Sequence, residues 1–193
     1  MSWPKGADVI EEMLRRRHLE QVPADPDEAT YLLERATQHL RTAAALVDDD
    51  PEIAYDALYA AARKALTAVL RQQGLRPTRE GGHEAVIEAA EAQLVPPAGP
   101  VLRPYRRLRR TRGAGDYQAS EGAVHPDDVR ADLPVATSIV QAAADVVPHL
   151  PVFVPTGAQQ TRGAALWGTG AGAVTGEPAK PSGRGHAAAP TDP

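Results

Sequence analysis

The chain has 193 residues, 42% of them apolar, and a net charge of −4, which fits one folded domain with or without a tail. It has no cysteine, which excludes disulfides and thiolate metal sites, and no apolar run near the ~18–20 residues that cross a bilayer. One Phe, two Trp and five Tyr leave the core to Leu, Val, Ile and Ala, which suits closely packed helices. The N-terminal stretch lacks the apolar run of a secretory leader, so a soluble cytoplasmic protein is expected.

The first predicted element is a short helix over residues 7–19, with Ile10, Met13 and Leu14 on one face and Arg15, Arg16 and Arg17 at its C-terminal end, where positive charge suits the helix dipole. The first long helix opens at Asp25-Pro26-Asp27-Glu28. Asp25 is a good N-cap, Pro26 sits where a missing N–H costs nothing, and Glu28 can close a capping box. Ala29, Leu32, Leu33, Ala36, Leu40, Ala43, Ala44 and Val47 then recur at helical spacing. Asp48-Asp49-Asp50 breaks this helix, and Asp50-Pro51 opens the next in the same way.

The second long helix carries Ile53, Leu58, Ala61, Ala62, Ala65, Leu66, Val69 and Leu70 and stops at Gly74 and Pro77. Tyr55 and Tyr59 share one face and read as core, whereas Arg63 and Lys64 read as exposed. The short connection makes the two long helices an antiparallel hairpin. A third helix follows Gly81-Gly82 over residues 83–94, with Val86, Ile87, Ala90 and Leu94 inward. His83 at its start reads as a structural or surface residue. Residues 96–100, PPAGP, read as a stiff loop.

Residues 103–117, RPYRRLRRTRGAGDY, hold six arginines within ten positions. A short helix here turns Tyr105 and Leu108 inward and ends at Gly113. The last helix opens near His125-Pro126 and buries Val129, Leu133, Ala136, Ile139, Val140, Ala143 and Val147, with a kink or broken first turn expected at Pro134. From residue 154 the chain turns rich in Gly, Ala and Pro without periodicity, and a disordered tail over 154–193 is expected. The reading is therefore all-α: a bundle of about five helices over residues 1–153, with two long antiparallel helices, plus that tail.

No Walker, dinucleotide-binding, nucleophile-elbow or metalloprotease motif is present, and neither a cofactor nor a metal is expected. The arginine stretch is the one candidate for chemistry. Arg109, Arg110 and Arg112 suit bidentate phosphate recognition, and Tyr117 can stack on a base or pack under the helix end. The opposing reading is a basic helix neutralised by the acidic body or by a second subunit.

Four phrases together resemble the HEPN family (higher eukaryotes and prokaryotes nucleotide-binding), in particular its actinobacterial members. They are residues 54–65, AYDALYAAARKA; residues 74–77, GLRP; Gly81-Gly82-His83; and residues 109–117, RRTRGAGDY. The resemblance covers about residues 7–153. It implies a helical bundle with two long antiparallel helices, a homodimer, and kinship with RNA-binding or RNA-cleaving modules, including toxins paired with an antitoxin or a nucleotidyltransferase. Nuclease members place a polar residue after the motif arginine and a histidine four to six residues on. Here Gly113 follows Arg112, and Asp116 precedes Tyr117 where the histidine would stand. The expectation is an RNA- or nucleotide-binding module using Arg109, Arg110, Arg112, Asp116 and Tyr117 without the family's nuclease site. The alternatives are a ribonuclease with a different site, and a protein-interaction or dimerisation module.

Overall fold

A computed structural model of the chain describes residues 5–115 and 124–156. Its element order is α1 (Ala7–Arg15), β1 (Leu19–Gln21), α2 (Pro26–Leu46), α3 (Pro51–Gln72), β2 (Leu75–Pro77), α4 (Gly82–Leu94), the single turn α5 (Gly99–Leu102), α6 (Tyr105–Gly115), α7 (Pro126–Val146) and a 3-10 turn (Val147–His149). The protein is an all-α bundle in which α2 and α3 form the expected antiparallel hairpin. Among the described residues no helix is long and apolar enough to cross a membrane.

Both long helices start as their local chemistry dictates. The Asp25 carboxylate accepts from Glu28 N–H at 2.8 Å and Asp50 accepts from Ile53 N–H at 3.1 Å, each with Pro in the first turn. The Glu28 side chain does not close a capping box; it accepts from Arg71 at 2.5 Å and joins α2 to the end of α3. Gly74 ends α3 with φ +73°, and a Cβ there would crowd the Val22 carbonyl oxygen.

α3 is the centre of the molecule and touches α2, α4, α6 and α7. Its alanines Ala61, Ala65 and Ala68 pack with Ala29 and Ala36 of α2 and Val140 and Ala143 of α7, so small side chains bring three helices close together. Its other side packs Leu58, Leu66 and Leu70 with α4, α6 and the buried Ile10 and Met13 of α1. Tyr105 and Leu108 of α6 are fully buried, as are Ile87 and Ala90 of α4.

Several expectations need correction. Helix α1 stops at Arg15, and Arg17 takes the left-handed conformation at φ 60°. Leu19–Gln21 then pairs antiparallel with Leu75–Pro77, a ribbon too short to show the alternation that marks a strand. A helical turn begins at Gly99 inside the loop expected to stay non-helical, with Pro100 in its first turn, where proline fits. Helix α7 runs through Pro134 without a break in its assignment. Ile53 and Ala44 lie on the exposed side of their helices. Apart from these corrections, Phe153 is buried and its N–H donates to the Gln73 carbonyl at 2.9 Å. The expected tail lies outside the described residues beyond 156.

Candidate phosphate-binding cleft

The arginines of α6 do not act as one patch. At 100° per residue, Arg109, Arg110 and Arg112 leave the helix in three directions. Arg106 pairs with Glu84 and, at 2.8 Å, with Glu91. Arg109 pairs with Glu84 as well, and Arg110 lines a shallow hollow of about 400 Å³ with Glu84, Arg106 and Arg109. Arg107 forms a bidentate pair with Asp132 of α7, which is buried and also accepts from the Tyr55 hydroxyl at 2.6 Å. Neutralisation by the acidic body thus accounts for much of the stretch. Arg103 and Arg110 have no ion pair among the described residues.

Arg112 leaves the same helix toward a cleft of about 480 Å³, lined by α2, α3, α4 and α6. Its Nε donates to Asp56 at 2.9 Å, and its guanidinium carbon lies 5.8 Å from the centre of the Tyr59 ring. Asp56, Tyr59 and Arg63 follow one another at helical spacing on the face of α3 that forms this wall. The Tyr59 hydroxyl accepts from Tyr105 at 3.3 Å, which fixes the ring against α6. Burial, reinforced by this contact, pushes the Tyr105 phenol well above the usual tyrosine range.

His83 completes the cleft from the start of α4. Gly81 lets the chain pass close to β1, since a Cβ there would collide with the His18 carbonyl, and Thr78 accepts from Gly82 N–H at 3.0 Å. The His83 side chain is exposed, yet both ring nitrogens are engaged. Arg63 Nη1 lies 2.8 Å from Nε2 and Tyr59 Oη lies 3.3 Å from Nδ1. A guanidinium has no acceptor, so Arg63 donates and Nε2 accepts. In the neutral ring Nδ1 then carries the proton and donates to Tyr59. Burial, followed by the charges of Arg63, Arg109 and Arg112, holds the imidazole below its ordinary range and favours this neutral form. His39, across the cleft on α2, is likewise held down, first by burial and then by Lys64, Arg35 and Arg63. The Nε of Arg63 is buried without a hydrogen-bond partner.

Of the predicted site residues, Arg112 lies in the cleft, Arg109 beside it, and Arg110 outside it. Asp116 and Tyr117 lie outside the described residues. Sequence reasoning missed Arg63, His39, Tyr59 and Asp56 as site residues and took His83 as a structural or surface residue. The available signal was the run Asp56, Tyr59, Arg63, which puts polar groups at one-turn spacing among the alanines of α3. The cleft holds two guanidinium groups, one donating to the Asp56 carboxylate and one to the lone pair of a neutral imidazole, beside an aromatic wall, a set that suits a phosphate ester when those bonds are exchanged for bonds to it. Compared with protein-family models, curated proteins and solved structures, the chain matches none of them.

Proposed function

We propose that the cleft binds a phosphate of RNA, as the resemblance to the HEPN family would imply. The observation that carries this reading is that Arg63 and Arg112, from α3 and α6, line one cleft with Tyr59 and His83, Arg63 bonded to His83 and Arg112 lying over the Tyr59 ring. A phosphate here gains charge-assisted hydrogen bonds from Arg63 and from Arg112, which in its absence donates to Asp56.

The test is RNA affinity as a function of salt. Arg63→Gln with Arg112→Gln should weaken binding at least tenfold, about 1.4 kcal/mol, and flatten the salt dependence, while Arg106→Gln should change little. If the parent shows no affinity for RNA even at low salt, and the double variant changes oligomeric state, the arginines serve an interface between subunits and this reading is wrong.

A second reading, RNA cleavage, is favoured by the position of His83. When a bound phosphate takes the Arg63 guanidinium, Nε2 is released as a base. It can then accept the 2′-hydroxyl proton while the 2′-oxygen attacks phosphorus. The P–O5′ bond breaks and the 5′-oxygen takes a proton from solvent through the open mouth of the cleft. This reading expects a cyclic 2′,3′-phosphate product in the presence of chelator, abolished by His83→Ala. Binding without such a product would leave the cleft a recognition site alone.

A further inference from the structure

We propose that the cleft is one end of a track for single-stranded RNA that continues along α2 over Arg35 and Tyr31, with Lys64 of α3 beside it. This rests on the reading of the cleft as a phosphate site and extends it to the substrate: a strand and not a mononucleotide.

The placement follows from helix geometry. Tyr31, Arg35, His39 and Thr42 fall within an arc of about 80° on α2 and span about 16 Å of its length. His39 and Thr42 line the cleft, so Arg35 and Tyr31 prolong the same face beyond it. On the antiparallel α3, Arg63 lines the cleft, and Lys64 follows it, one turn on from the cleft-lining Ala60.

The charges on this face differ from those on α6. Arg35, Arg63 and Lys64 have no carboxylate partner among the described residues, whereas Arg106, Arg107 and Arg109 are all paired. Burial and then the charges of Arg63 and Arg35 hold the Lys64 ammonium below its ordinary range, so the cations repel one another. A polyanion laid across them relieves that repulsion, and a second phosphate beyond the cleft is the group that reaches Arg35 and Lys64. At the far end Tyr31 is 57% exposed, one of few large apolar side chains open to solvent among the described residues. Its ring offers a platform for an unpaired base. A duplex has its bases already stacked and cannot use it.

The test compares two probes: a 2′-O-methyl oligouridylate of about eight nucleotides, which resists cleavage, and uridine 3′-monophosphate. Arg35→Gln with Lys64→Gln should weaken the oligomer at least tenfold and lower its salt slope by about one. Tyr31→Ala should weaken it several-fold, and neither change should alter the mononucleotide affinity. Arg63→Gln with Arg112→Gln should weaken both probes. If that cleft variant weakens both probes while the track variants leave oligomer binding unchanged, the track is wrong and the cleft reading stands. If the parent binds neither probe, both are wrong.

Discussion

Asp132→Ala is the sharpest test of how α6 is held. The Asp132 side chain is 2% exposed and accepts three hydrogen bonds, from Tyr55 Oη at 2.6 Å, from Arg107 Nη1 at 3.0 Å and from Arg107 Nη2. Burial and the hydrogen bond to this carboxylate push the Tyr55 phenol far above the usual tyrosine range, so its proton stays on the oxygen and is donated. Truncation strands that buried donor, at about 1–3 kcal/mol, with Thr111 in reach as a weaker partner. Arg107 is 50% exposed and turns to water at little cost. The expected loss is about 3 kcal/mol, at the low edge of what breaking a buried pair costs. For a domain of this size that lowers the thermal midpoint by about 9 °C. The comparison is Asp127→Ala, whose carboxylate is 94% exposed and bonds Arg130 at 2.9 Å. Its removal should cost no more than about 0.5 kcal/mol. Thermal unfolding followed by far-UV circular dichroism decides between them. If the two variants melt together, the buried pair does not hold α6 against α7.

Two further outcomes are expected. Leu66→Asp should abolish the folded state or lower its stability by more than about 4 kcal/mol, because Leu66 is fully buried in the apolar core that α3 shares with α4 and α6; a soluble variant with an unchanged midpoint would mean that this position reaches water. RNA affinity should rise as pH falls through the imidazole range, since a phosphate favours the charged rings of His83 and His39 that the free cleft keeps neutral, and binding therefore takes up protons. Replacing both histidines with Asn should remove that dependence, and a pH-independent parent would show that neither ring meets the phosphate.

The parts of the fold legible in the sequence were those set by chemistry close along the chain. Asp25-Pro26 and Asp50-Pro51 announce two helix starts because the capping carboxylate and the N–H groups it binds are three residues apart. Tyr105 and Leu108 could be placed inward because one turn of helix fixes their common face. The ribbon was not legible: Leu19–Gln21 meets Leu75–Pro77 only after α2 and α3 have folded back between them. Asp132 follows Asp127, Asp128 and Arg130 in a charged run that gives no sign of a core position, and only the arrival of Arg107 and Tyr55 makes its burial tolerable. The cleft has the same character. Arg63, His83 and Arg112 come from three helices, and their proximity is a property of the packing. The density of arginines in α6 drew the reading to Arg109 and Arg110, whose directions are set by helix twist and by Glu84.

The attachment of residues 151–156 couples regions of the chain that are far apart in sequence. Phe153 N–H donates to the Gln73 carbonyl, its own carbonyl accepts from Gln21 at 3.1 Å, and Thr156 N–H reaches the Glu11 carboxylate at 2.5 Å. One short segment is thus fastened to α1, to β1 and to the end of α3. In native-state hydrogen exchange these amides should open as one cooperative unit, with the ribbon amides losing protection together with Phe153 and not in an independent fraying event.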